Sequence, residues 1–214
     1  GSFVLVERER RRAQRVRAVG AQGDIGVAGV IGNAAEVYTA GAVEVGVLYL
    51  VDGGDGAIRG SVAGVGLACV GPESLGQGKR GDISRIHPAG WHQQRYDFIP
   101  GQSLYNRCHL IAWSLCGENA NRKNLLTGTR YLNETGMLPF EERILNYIRD
   151  TGNHVLYRVT PMYNEEELVC RGVRLEAQSV EDHGKTLCFH VYCYNLQPHV
   201  TIDYATGKNQ ANGD

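Results

Sequence analysis

The chain has 214 residues, with 22 lysines and arginines, 23 aspartates and glutamates, and a formal net charge of −1. This length and composition are typical of a globular protein of one large or two small domains, and they exclude collagen-like, coiled-coil and wholly disordered chains. The net charge argues against a protein held to nucleic acid by overall charge, although it leaves a local basic face open. No apolar run reaches the roughly 18 residues that a membrane-spanning helix needs.

The 6 cysteines are too sparse for a disulfide scaffold and include no Cys-x-x-Cys pair, which disfavours a tetrahedral zinc site. Cys170, Cys188 and Cys193 are predicted to be small buried apolar residues, or to include a pair joined by oxidation if the protein is exported. The chain begins with Gly1-Ser2 and shows no signal peptide, so the compartment stays open.

Residues 1–63 form an atypical segment that is rich in Gly and Val and contains no Lys, Pro, His, Cys or Trp. Its charge run, Glu7–Arg17, is predicted to be a solvated helix or arm rather than a nucleic-acid tail, because acidic residues interrupt it and no aromatic residue accompanies it. Val43–Val51 is predicted to be a buried strand that pairs with the main sheet, since a turn signal at residues 52–56 follows it.

A compact domain is predicted over residues 64–207, followed by a short tail at residues 208–214. Its clearest helix covers Leu138–Asp150, with Pro139 in the first turn and Gly152 as the cap after the last. The apolar side chains of this helix share one face, and they are Phe140, Ile144, Leu145 and Ile148.

The last third of the chain alternates apolar and polar residues in the manner of an antiparallel sheet. The predicted strands are Val155–Val159, Val169–Val180, Leu187–Tyr194 and Val200–Tyr204. Together with the helix, these strands predict a mixed α+β architecture.

An unusual density of polar residues between Tyr105 and Glu141 indicates a functional site, because it holds one His and several Asn residues. A neutral imidazole accepts a proton near pH 7, so His109 could activate water as a general base. An Asn carbonyl oxygen suits Mg²⁺, which usually keeps most of its waters and takes one or two protein ligands. This combination favours phosphodiester hydrolysis, with Arg side chains taking the phosphate charge.

Ordered motifs in this region carry a resemblance to a known family. They are residues 106–110 (NRCHL), 121–125 (NRKNL), 127–133 (TGTRYLN) and 140–141 (FE). In these motifs the chain resembles the DNA/RNA non-specific endonucleases of the ββα-metal (His-Me finger) superfamily, and within it the bacterial branch that includes secreted streptococcal DNases. The similarity begins near Gly64 and covers roughly 140 residues.

The resemblance implies an α+β fold in which a central antiparallel sheet supports a ββα-metal nuclease core. It implies that His109 is the general base and that Asn133 is the protein ligand of a hydrated Mg²⁺, with Mn²⁺ as an alternative ion. It further implies that Glu141 holds metal-bound water and that Asn124 supports the site. On residue type alone, Asn133 could instead cap or interrupt a helix, and Glu141 could sit at the positive end of that helix.

Basic side chains are expected to contact the nucleic acid. By resemblance, Arg107 and Arg130 approach phosphate, although Arg most often forms surface ion pairs. Four further residues are predicted to line the groove and bind backbone phosphates without reading sequence, and they are Lys79, Arg80, Arg122 and Lys123.

The chain departs from the superfamily's usual Asp-Arg-Gly-His at two positions, Asn106 and Cys108. Asn in place of Asp removes a charge behind the base, and Cys in place of Gly adds bulk beside it. Neither position is the implied base or ligand, so the departures bear on rate more than on reaction class. A nucleophilic dyad of Cys108 and His109 is disfavoured, because neighbours on an extended strand point to opposite faces.

The resemblance thus implies a secreted, metal-dependent, sequence-non-specific endonuclease that acts on DNA, and also on RNA, and leaves 5′-phosphate and 3′-hydroxyl ends. Two alternatives stay open: a nucleic-acid-binding protein that keeps the fold with little or no turnover, and a thiol hydrolase using Cys108 or Cys116. No protein partner can be inferred.

Overall fold

The computed structural model describes residues 48–52 and 62–213. The predicted charge run at Glu7–Arg17 and the first part of the predicted strand Val43–Val51 lie outside this range. In chain order, the described strands are β1 (Leu48–Asp52), β2 (Ala63–Val70), β3 (Tyr105–His109), β4 (Leu125–Thr129), β5 (Val155–Met162), β6 (Gly172–Ser179), β7 (Cys188–Tyr194), β8 (Val200–Ile202) and β9 (Asn209–Ala211).

A five-stranded sheet of order β1-β2-β5-β6-β7 forms the centre of the fold, and every neighbouring pair in it is antiparallel. The predicted α+β architecture with an antiparallel sheet is therefore confirmed. The predicted strand at Val43–Val51 does pair with the main sheet through β1. Nearly every residue of β5 and β6 is buried, so these two central strands are covered on both faces.

The hydrophobic core lies on one face of this sheet. Alternate side chains of β5, Val155, Tyr157 and Val159, point into it because successive strand residues face opposite sides. The helix α2 (Leu138–Thr151) covers this face with Ile144, Tyr147 and Ile148, while the two predicted contacts Phe140 and Leu145 pack at its margin. Gly152 ends the helix in the left-handed conformation, at φ 69°, as its position predicts.

A ββα unit lies beside the central sheet and consists of β3, β4 and the helical segment that follows them. β3 and β4 pair antiparallel, with His109 opposite Leu125. The connection between them contains a short helix α1 (Trp113–Cys116) and a 3-10 turn (Arg122–Asn124). The 3-10 turn leads the chain directly into β4.

The α-helix begins at Leu138, as the sequence predicts, but a π-helix (Leu132–Met137) that was not predicted precedes it and runs directly into α2. The N–H of Leu138 donates to the carbonyl oxygen of Asn133, five residues earlier. Pro139 has no N–H and its ring crowds the preceding turn, so the regular hydrogen-bond pattern is interrupted just before it. Asn133 therefore occupies an irregular turn rather than an ordinary α-helix.

The C-terminal strands β8 and β9 form a small separate sheet, and β8 packs against Tyr105 of β3. The Tyr105 hydroxyl donates to the carbonyl oxygen of Gly207 at 2.9 Å. Gly207 has φ +84°, and a Cβ there would lie 1.8 Å from the carbonyl oxygen of Gly90, so only glycine fits. The predicted boundaries at residues 63 and 207 stay predictions, although strand pairing crosses both positions.

Among residues 48–52 and 62–213, no helix combines the length and the apolar character that crossing a bilayer requires.

Candidate active site

His109 is the last residue of β3 and is only 7% exposed. Its Nε2 lies 2.9 Å from the backbone carbonyl oxygen of Asn119. A carbonyl oxygen can only accept, so Nε2 carries the proton and donates it. The other ring nitrogen, Nδ1, lies 3.1 Å from Nη2 of Arg80 and accepts a hydrogen bond from it. The ring is thus held as the neutral tautomer with its lone pair on Nδ1.

The surroundings of His109 keep it neutral. Burial lowers the pKa of His109 to about 4, and the positive charge of Arg80 acts in the same direction, while the hydrogen bond to Asn119 opposes both. A base with such a pKa is unprotonated throughout the physiological pH range.

The side chain of Asn133 contacts Cys108, the residue that precedes His109 in the chain. Sγ of Cys108 lies 3.2 Å from Oδ1 of Asn133 and 3.5 Å from Sδ of Met137. The imidazole of His109 instead contacts Arg80 and Asn119, on the other side of the strand end. The half-buried Asn133 side chain is thereby placed next to the neighbour of His109, without a direct hydrogen bond to the ring.

Neither Cys108 nor Cys116 is an activated nucleophile. Burial raises the pKa of the Cys108 thiol well above its ordinary value, and that of Cys116 to about 12, so both stay protonated. All six cysteines are free. Cys188 is exposed, contrary to the prediction that it is buried, because alternate residues of the edge strand β7 face outward.

Glu141 lies in the first turn of α2, where its carboxyl group is half-buried. Burial raises the pKa of Glu141 to about 8, an effect that Arg80 opposes and Glu142 reinforces. Within the described residues this carboxyl group makes no hydrogen bond or ion pair. The negative charge of Glu141 raises the pKa of Cys108, and the positive charge of Arg80 lowers the pKa of Cys108. Arg80, Cys108 and Glu141 are therefore electrostatic neighbours.

The donor set fits a largely hydrated divalent cation better than a fully protein-ligated metal. In the part of the chain that the structure describes, no three His, Cys, Asp or Glu side chains converge as a metal-binding group. Asn133 nevertheless offers a neutral oxygen, and Glu141 offers a carboxylate that has no hydrogen-bond or ion-pair partner among residues 48–52 and 62–213. A cation that keeps most of its waters needs no more than such a pair, and its charge would stabilise the ionised form of Glu141.

Asn124 is fully buried and acts on the backbone next to the site. Its Oδ1 accepts from the N–H of Ile111 and its Nδ2 donates to the carbonyl oxygen of Ile111, each at 3.0 Å. The Leu110 N–H donates to the backbone oxygen of Asn124. Because both the oxygen and the nitrogen of this buried amide bond to the backbone of Ile111, Asn124 holds the chain as it leaves His109.

Arg107 and Arg130 are engaged with the protein. The Arg107 guanidinium donates to the carbonyl oxygens of Ser84 and Ile86 and lies 4.4 Å from the ring centroid of Trp91. Arg130 pairs with Glu134 one turn along the helix. Arg107 thus holds the segment of Ser84 and Ile86 against β3, whereas Arg130 pairs within its own helix, and the predicted contact of both residues with phosphate stays a prediction.

The four predicted groove residues divide into two kinds. Lys79, Arg122 and Lys123 are exposed side chains. Arg80 is also exposed, but its guanidinium contacts both His109 and Asn119. The structure therefore separates Arg80 from the other three, a difference that residue type alone does not reveal.

Sequence reasoning assigned no role to Asn119. It lies in the loop after α1, and its backbone oxygen orients His109 while its side chain contacts Arg80 and Gly81. The only signal in the sequence was the density of Asn residues around it, which does not reveal which loop carbonyl meets the imidazole.

Comparisons with known proteins agree on one activity. A family model described as DNA/RNA non-specific endonuclease matches residues 74–181. NucA from Streptococcus agalactiae, solved with a magnesium ion bound, is 25% identical with a TM-score of 0.64 over 79% of this chain and 90% of NucA. No curated protein sequence gives a significant match.

Other solved structures share the fold. Sda1 nuclease, solved with a bound zinc ion, is 24% identical with a TM-score of 0.67 over 80% of this chain and 82% of Sda1. A protein described as an extracellular endonuclease is 20% identical with a TM-score of 0.57 over 77% of this chain and 86% of its own. The arrangement of sheet and ββα unit is therefore common to several nucleases.

Proposed function

Since this chain belongs to the DNA/RNA non-specific endonuclease family, we propose that it cuts phosphodiester bonds with His109 as the general base and with a hydrated divalent cation held by Asn133. As a member of that family it is a metal-dependent enzyme that hydrolyses nucleic acids. The observation that carries the proposal for the base is the hydrogen bond from Nε2 of His109 to the Asn119 carbonyl oxygen.

His109 takes a proton from the attacking water through Nδ1. The water oxygen forms a bond to phosphorus, the bond from phosphorus to the 3′ oxygen breaks, and that oxygen is protonated from solvent. The products carry a 5′-phosphate and a 3′-hydroxyl. The imidazolium that forms keeps its Nε2 proton on the Asn119 carbonyl oxygen, which favours the charged ring and lowers the energy of proton transfer.

Arg80 connects substrate binding to this step. Without substrate, its Nη2 donates to the Nδ1 lone pair that the reaction uses. A phosphate group is charged and is therefore a stronger acceptor than a neutral imidazole. We expect the incoming phosphate to draw the exposed Arg80 guanidinium away from Nδ1, which binds the substrate and frees the base together.

Asn133 and Glu141 are the residues that would hold the cation, Asn133 directly and Glu141 through water. A bound divalent cation supplies charge stabilisation at the phosphate and at the leaving oxygen. We propose Mg²⁺ as the ion, with Mn²⁺ as its substitute, because oxygen donors without a thiolate suit these ions. NucA, solved with magnesium, supports this choice.

DNA is the proposed substrate, with RNA as a second one. The exposed side chains of Lys79, Arg122 and Lys123 would contact backbone phosphates, which both nucleic acids share. Such contacts carry no sequence information, so cutting should be sequence-independent and should weaken as salt rises.

We propose that the protein acts outside the cell. The support is a structural likeness to proteins described as an extracellular endonuclease and an extracellular nuclease. Expression in the native host followed by fractionation tests this, since protein confined to the cell interior would contradict it.

A plasmid assay tests the function as a whole. The full chain is incubated with supercoiled DNA and Mg²⁺, with and without EDTA, and the ends of the products are mapped. Nicking that EDTA abolishes is the expected result. DNA that is retarded in a gel but left uncut would instead support the binding-only alternative.

A further inference from the structure

The side chain of Asn119 joins two parts of the site. Its Oδ1 accepts from Nε of Arg80 at 3.0 Å, and its Nδ2 donates to the carbonyl oxygen of Gly81 at 2.9 Å. Its backbone oxygen accepts from His109. One residue thus contacts the base through its main chain and the arginine over that base through its side chain.

We propose that Asn119 is a positioning residue whose side chain holds the Arg80 guanidinium over Nδ1 of His109, so that the arginine meets the scissile phosphate beside the base. This inference rests on the proposed function. It assigns the main-chain and side-chain groups of Asn119 separate tasks, orienting the ring and orienting the arginine.

The need for such a holder follows from the exposure of Arg80. An exposed Arg samples many rotamers, and fixing it costs conformational entropy. The hydrogen bond from Nε to Asn119 fixes the plane of the guanidinium, and Nη2 is left pointing at the imidazole. The second bond, to Gly81, holds the backbone that carries the arginine. Together these contacts reduce the ordering that substrate binding would otherwise require.

The two tasks of Asn119 can be separated by mutation. Asn119→Ala removes both side-chain bonds and keeps the backbone oxygen that orients His109. Asn119→Asp keeps an oxygen acceptor for Arg80 and loses the donor to Gly81. Arg80→Ala removes the group being held. A purely structural role for Asn119 would make its effect on rate independent of whether Arg80 is present.

A double-mutant cycle in DNA cleavage therefore tests the inference. At saturating Mg²⁺ and pH 8, we expect kcat/KM to fall about 10-fold in Asn119→Ala and about 100-fold in Arg80→Ala. The double variant should resemble Arg80→Ala alone, because without Arg80 the Asn119 side chain has no guanidinium to position. Asn119→Asp should keep more activity than Asn119→Ala, and only while Arg80 is present.

Asn121→Ala is the matched control. Asn121 lies in the same loop, and its side chain accepts from the N–H of Lys123 without contacting Arg80. Its variant should lose less than about twofold in kcat/KM, with no coupling to Arg80→Ala. Circular dichroism confirms that each variant is folded at the assay temperature.

The outcomes separate this inference from the proposed function. A wild-type protein that does not cut, or a His109→Ala variant that cuts fully, overturns the proposed function. A wild-type protein that depends on His109, with losses from Asn119→Ala and Arg80→Ala that simply multiply, overturns the role of Asn119 alone.

Discussion

A peptide carbonyl, and not a carboxylate, orients the histidine of this site: Nε2 of His109 lies 2.9 Å from the backbone oxygen of Asn119. A neutral acceptor fixes the tautomer without raising the pKa of the ring as strongly as a carboxylate would. The ring's two partners are Asn119 and Arg80, so Asn106 is not one of them. The change from the superfamily's Asp to Asn106 therefore leaves the orientation of the His109 ring, the proposed base, intact.

Replacing His109 with Ala removes the proposed acceptor for the water proton. We expect kcat for plasmid cleavage to fall by about 10² to 10⁴, with DNA affinity largely retained, because the basic contacts remain. Cleavage kinetics and a gel-shift titration measure the two effects. The control is His92→Ala, which removes an exposed histidine outside the site and should keep full activity. Equal cleavage by the two variants would exclude His109 as the base.

The pH profile follows from the depressed pKa of His109. A general base must be unprotonated, so activity is lost as pH falls through the pKa, which lies at about 4. The enzyme should keep most of its kcat/KM at about pH 5.5, well below the ordinary histidine pKa. In Arg80→Ala the acid limb should move to higher pH, because a positive charge next to the ring is gone. If kcat/KM of the wild type instead falls to half its maximum at a pH above about 6.5, this account is contradicted.

Asn133 is expected to set the affinity for the divalent ion. Asn133→Ala removes the oxygen donor and should raise the Mg²⁺ concentration for half-maximal activity at least about 10-fold. Asn133→Asp keeps an oxygen and adds charge, so it should bind the ion at least as well as the wild type. Activity measured against Mg²⁺ concentration distinguishes them, and identical curves for all three proteins would argue against Asn133 as a ligand.

Cys108→Ala should leave substantial activity. The thiol is buried and protonated, and its contact with Oδ1 of Asn133 is a weak S–H hydrogen bond. Removing that donor frees the oxygen for a cation, so we expect kcat within about fivefold of the wild type. Complete loss of cleavage in a folded Cys108→Ala protein would instead support the alternative in which the Cys108 thiol is the nucleophile.

His154 gives the fold a pH-dependent contribution to stability. Its two ring nitrogens contact Glu73 and Glu181. Burial lowers the pKa of His154, but the hydrogen bonds and charges of the two carboxylates outweigh it and raise the pKa. The stabilisation is therefore fully present below the unfolded pKa of about 6.5 and is lost as pH rises through the folded pKa. Thermal unfolding of His154→Gln should differ most from the wild type at about pH 6 and least at about pH 9.

The elements of the fold were predictable wherever one local pattern dominated. The apolar face and the Gly152 cap identify α2 to within one residue at its end. Alternation located β5, β6 and β7, although it could not give their full extents because both faces of β5 and β6 are buried. The π-helix was missed, because an extra residue in a helical turn has no sequence signature apart from Pro139.

The site was predictable only at positions where the residue type, within a motif, indicates a chemical role. His109, Asn133 and Glu141 stand out as residues of a motif, and their roles stay predictions. The special position of Arg80 could not be read from the sequence, because its neighbour Lys79 carries the same charge and only the loop geometry distinguishes them. Asn119 contacts His109 through a backbone atom that every residue has, so no side-chain pattern marks it.

The most direct measurement is a crystal structure of the full chain with Mn²⁺ and an uncleaved phosphorothioate oligonucleotide, in which anomalous scattering locates the ion. We predict one ion bound to Oδ1 of Asn133, with Nδ1 of His109 released from Arg80 and hydrogen-bonded to a water beside the scissile phosphate. An ion bound away from Asn133, or a phosphate that His109 cannot reach even through one water, would contradict the account.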